Sequence, residues 1–213
     1  MIGVTFDDLH SYDDLSLVLN SKTIEPPTPK TETVNIPGAD GELDFTEFFG
    51  EVKFKKRKLT FSFSYIGLAS TFTGELSAIQ AALHGKKMKI CLDDDPDYYY
   101  VGRVTVDTWT TQKGYFTIKI TANCEPYKYA QTVTVVSNEV EDELEIMLEN
   151  SRKSVIPKIS TTGAITIAWD GASASLSAGN DQIIEDLILR EGMTVVTVTG
   201  NAEVTFKYQE GAL

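Results

Sequence analysis

Apolar and polar residues alternate over most of this chain, as they do in strands with one face in a core and the other in solvent. Leu59, Phe61, Phe63 and Tyr65 alternate with Thr60, Ser62 and Ser64. Val104 with Val106 repeats the pattern, as do Phe116, Ile118 and Ile120, which follow the turn residues Gln112, Lys113 and Gly114. One segment differs. Leu76, Ile79 and Leu83 fall at helical spacing, with Thr73 placed as N-cap and Gly85 placed to end the helix at C′. The first part of the chain therefore predicts a mainly β fold with one α-helix packed on it.

Strand periodicity returns further on. Glu and Leu in residues 139–149 favour a helix by propensity, but Leu144, Ile146 and Leu148 alternate, which predicts a strand with an acidic outer face. Asn150 to Pro157 predict a turn. Ile165, Ile167 and Trp169 alternate again, and Ser173 to Asn180 read as a polar loop. Strands at Ile183 to Leu189, at Val196 with Val198, and at Val204, Phe206 and Tyr208 would complete two small sheets. Short strands with turns between them predict a sandwich or jelly roll.

Residues 36–44, IPGADGELD, interrupt the first region. Pro37, Gly38, Asp40 and Gly41 are residues that reverse a chain, and the prolines of residues 25–29 straighten it beforehand. Together they predict that the chain reverses direction and emerges as an extended arm. The basic run Lys53, Lys55, Lys56, Arg57 and Lys58 follows and leads straight into the strand that starts at Leu59. In an acidic chain such a run is best explained as a solvated arm that pairs with acidic surface on a neighbouring subunit.

Charge sharpens this picture. The 213 residues carry a net charge of −12, which argues against binding nucleic acid or an anionic membrane. Residues 1–135 hold 18 acids and 14 bases, whereas residues 136–213 hold 13 acids and 5 bases, so a domain boundary is expected between them. No run approaches the roughly 18 apolar residues of a membrane helix. The start MIGVTFDDLH has neither part of a secretion signal, so folding in a cytoplasm is expected.

Candidate chemistry is thin. Asp93, Asp94, Asp95 and Asp97 suggest a calcium loop, but Tyr98 stands where that loop needs glycine and Val104 where it needs glutamate; a hairpin tip is the better reading. Cys91 and Cys124 read as reduced strand residues, and with only His10 and His84 beside them they make no zinc set. Tyr98, Tyr99 and Tyr100 should divide between an inward and an outward face, and Trp109 and Trp169 read as core or interface residues. Nothing selects a catalytic pair among the 31 carboxylates, so neither enzymatic activity nor a cofactor is expected.

The order and spacing of several blocks resemble the distal tail protein family of long-tailed phages and prophages. At the N-terminus these are GVTFDD (residues 3–8), His10 with Ser11 and Tyr12, SKTI (21–24), IPGADGELD, and Arg57 with its strand. At the C-terminus they are IPKI (156–159), IIEDLILREG (183–192) and VTFKYQEGAL (204–213). The resemblance implies an N-terminal β-sandwich with one α-helix and a protruding β-hairpin arm, closing a homo-hexameric ring, and a galectin-like second β-sandwich on the outside. It further implies a virion tail location, after assembly in the host cytoplasm. The implied contacts are with the tail-tube protein, the tail-associated tip protein and receptor-binding proteins. Ser16 stands where the family often has glycine, and the second domain lacks the histidine that a galectin-type sugar site uses beside Arg and Trp. The alternative is a carbohydrate-binding adhesion module acting at the host surface.

Overall fold

In the strand Arg57–Tyr65 every second residue is buried, and Leu59, Phe61 and Phe63 are wholly so. The protein, a computed structural model describing residues 2–38, 40–48, 50–112 and 115–213, separates into two units, residues 1–128 and Tyr129–Ala212. This division falls upstream of the 135/136 position suggested by charge. The turn expected at Lys113 and Gly114 lies outside the described residues.

The first unit contains β1 (Val4–Phe6), β2 (Leu9–His10), β3 (Leu17–Ile24), β4 (Thr33–Asn35), β5 (Glu42–Asp44), β6 (Arg57–Tyr65), α1 (Phe72–Leu83), β7 (Lys87–Leu92), β8 (Asp95–Gln112) and β9 (Tyr115–Cys124). All but β4 and β5 of these strands form an antiparallel sheet in the order β2-β1-β7-β8-β9-β6-β3. Helix α1 buries Phe72, Leu76, Ile79 and Leu83, each contributing about 1.5–3 kcal/mol of apolar burial. Phe72 stacks on Phe116 at 4.1 Å between ring centroids, with Tyr65 5.4 Å from Phe72.

That aromatic contact corrects the expected helix start. The cap residue is Thr71, not Thr73, because Phe72 is the first member of the buried stripe. The Thr71 hydroxyl makes no cap bond; it donates to the Leu68 carbonyl at 2.9 Å and lies 3.0 Å from the Tyr65 hydroxyl. Gly85 follows the His84 C-cap at φ 79°, as its placement in the sequence predicts. Ser16 is also left-handed, at φ 53°, a conformation that glycine adopts without a steric cost.

The short β10 (Lys128–Ala130) carries the chain into the second unit. There follow β11 (Thr134–Val140), β12 (Glu143–Asn150), β13 (Lys158–Thr161), β14 (Ile165–Trp169), β15 (Ala172–Leu176), β16 (Gly179–Ile183), β17 (Gly192–Gly200), β18 (Ala202–Tyr208) and β19 (Gly211–Ala212). Two antiparallel sheets, β11-β18-β13-β16 and β12-β17-β14-β15, share one core that contains Ile146, Leu148, Ile159, Ile167, Val198 and Phe206. A β-sandwich is therefore what the second half forms.

Three local expectations change here. Residues 139–149 are not one strand but the end of β11 and most of β12, broken at Asp142 (φ 65°), where the chain changes sheets. The polar stretch Ser173 to Asn180 is mostly strand, because the turn lies earlier, at Asp170 (φ 43°) and Gly171 (φ 80°). Its serines suit an edge strand and pair across it: the Ser175 and Thr166 hydroxyls lie 3.0 Å apart. Conversely, Ile184 to Leu189 form no strand. Ile184, Leu187 and Leu189 are buried from a folded-back loop, in which Leu187 N–H donates to the Ile184 carbonyl at 3.1 Å and the buried Asn150 amide donates to the Leu189 carbonyl at 3.0 Å.

Phe206 is wholly buried in the second core, so Phe206→Ala should cost about 3–5 kcal/mol. Scanning calorimetry should show that loss in one transition while a second, from the first unit, stays in place. Both transitions moving together would mean that the two cores unfold as one.

Candidate functional site

The part of the first unit built least like a core is the ribbon between β3 and β6. Glu25 N–H still donates to the Lys58 carbonyl at 3.0 Å, and then the chain leaves the sheet. Its two sides stay paired on the way out: Lys55 N–H donates to the Thr28 carbonyl at 2.8 Å, and Lys30 N–H to the Lys53 carbonyl at 2.7 Å. At the base, Phe54 meets Tyr127 edge-on at 6.0 Å. Further out, β4 and β5 pair only with each other, with Val34 opposite Leu43. Pro37, Gly38, Asp40 and Gly41 form the tip, with the two glycines at φ 87° and 79°. The arm read from the turn residues is thus a real hairpin.

Its side chains are the informative part. Every residue of β4 and β5 is exposed, and so are the large apolar ones: Val34 at 51%, Leu43 at 48% and Phe48 at 72%, with Ile36 beside them. An isolated two-stranded hairpin is marginal in water, and this one carries its large apolar side chains without a second layer of its own unit among the described residues. Phe45 and Phe48 already meet edge-on at 5.7 Å.

Local hydrogen bonds hold the ribbon's shape. The Asp44 carboxylate accepts the Thr46 N–H at 2.8 Å, and the Thr46 hydroxyl oxygen accepts the Glu32 N–H at 3.1 Å. Bonds to the Thr46 hydroxyl and backbone hold the Asp44 carboxyl below its usual 3.8.

The basic run does not stay together. Lys53, Lys55, Lys56 and Lys58 are exposed, with Lys53 3.8 Å from Glu51. Arg57 is buried instead. It opens β6 opposite Cys124, and its guanidinium lies 5.5 Å from the centroid of the Tyr100 ring. Burial pushes the Cys124 thiol up to about 12, with Arg57 acting the other way, so this cysteine is no nucleophile. Of the eight residues read as arm, Arg57 belongs to the core.

Asp93 and Asp94 occupy the turn between β7 and β8 while Asp95 and Asp97 open β8, and each of the first three carboxylates is engaged inside the unit. Asp93 accepts the Gly3 N–H at 2.7 Å and lies 3.2 Å from His10 Nε2. Asp94 pairs with Lys22, which holds its carboxyl below the usual range, and Asp95 pairs with Lys128 at 2.6 Å. Among the described residues no group of three His, Cys, Asp or Glu is arranged to hold a metal. The tyrosines that follow are covered by cations: Tyr98 by Lys128 at 4.2 Å, Tyr99 by Lys89 at 4.8 Å and Tyr100 by Arg57. Sequence alternation placed one ring inward but gave no sign of these partners, which come from other strands.

No protein-family model matches this chain, and no curated protein matches it. The solved structures do include a match. The whole fold is similar to the crystal structure of the SPP1 Dit (gp 19.1) protein, described as a paradigm of the hub adsorption apparatus in phages that infect Gram-positive bacteria. The TM-score is 0.72 and the alignment covers 100% of both chains, at 16% identity. The chain therefore has the fold of that phage distal tail protein.

The Asp44 turn can be tested by titration. A folded pKa below the unfolded one means that the ionised carboxylate stabilises the turn at neutral pH, and that this contribution is lost as pH falls through the folded value. Nuclear magnetic resonance should therefore show Asp44 titrating below 3.8, with the Thr46 amide shifting in step. Titration at or above that value would show that the carboxylate does not hold the turn.

Proposed function

We propose that this protein is a structural subunit of a phage tail tip, in which six copies close a ring that joins the tail tube to the tip and host-attachment proteins. The observation that carries the reading is the full-length likeness to a tail hub protein, together with a hairpin whose apolar side chains its own chain leaves in water. In this reading residues 1–135 form the ring and the arm of each copy lies on its neighbour. Such a contact joins two different surfaces, so it repeats around an axis and closes when the rotation per copy fits. The exposed lysines Lys53, Lys55 and Lys56 sit at the arm's root, where acidic surface on the next copy would attract them.

The remaining assignments follow the same reading. The subunit is not an enzyme, takes no cofactor and works in the virion tail. Its net charge of −12 argues against holding nucleic acid. Among the described residues no helix is long and apolar enough to cross a membrane. Residues 136–213, read as galectin-like, lie on the outside of the ring in this reading. The adhesion alternative is weaker on two counts: this part has no histidine, and its Trp169 is buried, so two of the groups used by a galectin-type sugar site are not on offer.

Replacing residues 32–51 with a short Gly-Ser turn tests the arm. The variant should keep its circular dichroism spectrum and its melting transitions, because the described residues of this segment belong to neither buried cluster. Light scattering on concentrated protein should read six subunits for the parent chain and one for the variant. A parent chain of another symmetry, or a variant that still closes, would overturn the proposal.

A further inference from the structure

Beyond the arm, we infer that the second unit carries the two halves of another contact between copies: a basic, apolar face on one sheet docks on an acidic, apolar face of the next copy's other sheet. The inference rests on the reading that copies assemble side by side.

The basic half is a row of cross-strand neighbours. Val135 pairs with Lys207, Lys207 with Lys158, and Lys158 with Ile183, so one line crosses β11, β18, β13 and β16. All four are exposed, Val135 and Ile183 at more than half. Two lysines directly opposite each other repel, and among the described residues neither lies within 4.0 Å of a carboxylate. The groove over this row also takes in Lys153, Ile156 and the acid Asp181. Three of the unit's five basic residues thus line one groove. Of the other two, Arg152 is paired with Glu191. Lys153 lies over the Tyr129 ring at 4.7 Å, which leaves Lys158 and Lys207 as the pair that repels across the strands.

The acidic half lies on the opposite sheet. There β12 turns Glu143, Glu145, Met147 and Glu149 outward, and β17 turns Met193 and Val195 outward. Met147 pairs with Val195 and Glu149 with Met193, so a compact apolar patch is bordered by carboxylates. Met147 and Met193 are exposed by 61% and 62%, unusual for residues with no role outside. Methionine is flexible enough to fit a face it does not match in detail.

The two faces match in charge and in apolar content, but they lie on opposite sheets and cannot meet within one unit. They can meet only between copies, as a head-to-tail contact. The contact acts once other interactions hold the copies side by side, at an effective concentration on the order of millimolar.

Charge reversal on full-length protein tests this. One variant carries Lys158→Glu with Lys207→Glu, and the other Glu145→Lys with Glu149→Lys. All four positions are exposed, and circular dichroism confirms that both variants fold. Each variant alone should need about tenfold more protein than the parent chain to assemble. An equimolar mixture should assemble with the two variants alternating, because each then meets its opposite, as cross-linking and mass spectrometry will read. Added salt should weaken the mixture's contact. Parent-like assembly by both variants, or no gain on mixing, overturns the inference while leaving the ring intact, and would direct the lysine groove to an acidic polymer or another tail protein. If the parent chain never closes a ring, the ring reading fails. The contact is then read from the mixture at low salt and at protein concentrations on the order of millimolar, where a one-to-one complex supports it and its absence overturns it.

Discussion

A two-stranded ribbon has no second layer, so whatever apolar side chains it carries stay in water until another molecule covers them. That constraint governs the first unit. Between Ile24 and Arg57 the chain leaves a well-filled sheet, runs out and returns, and on the way exposes Val34, Leu43 and Phe48. Full burial of such side chains is worth about 1.5–3 kcal/mol each, a stabilisation that the isolated chain does not obtain from them. In the proposed ring every copy would present one arm and receive one, so the gain would repeat around it. The left-handed glycines at the tip and the Asp44–Thr46 turn keep the ribbon shaped in the free chain, which would lower the ordering cost of docking in that ring.

The rest of the first unit anchors that ribbon. Its root stands on β6, whose first residue, Arg57, is buried against Tyr100 and pairs across to Cys124. The turn between β7 and β8 ties in the N-terminal hairpin through Asp93 and the edge strand β3 through Asp94 and Lys22. These exposed pairs contribute little stability one by one, but they fix where the strands adjoining the arm lie.

Much of this was legible in the residues. Strands with one buried face, such as β6 and β9, declare themselves by alternation, and α1 by the spacing of Leu76, Ile79 and Leu83. The arm was legible through Pro37, Gly38 and Gly41, because backbone reversal needs those residue types. What alternation missed depends on tertiary partners. Phe72 joins the helix because Phe116 receives it. The Ala- and Ser-rich β15 is a strand because Ile165 to Trp169 offer it an edge. Arg57 looked like one more solvated cation, and only the fold brings Tyr100 over it. The exposure of Val34 and Leu43 depends on the absence of a second layer over β4 and β5, and no local pattern encodes that.

An electron cryo-microscopy map of the assembled tail tip tests the central claim most directly. The account predicts six copies around the axis, with Val34, Leu43 and Phe48 of each arm buried against the adjacent copy. Arms that extend freely into solvent, or a layer built on another symmetry, would contradict it.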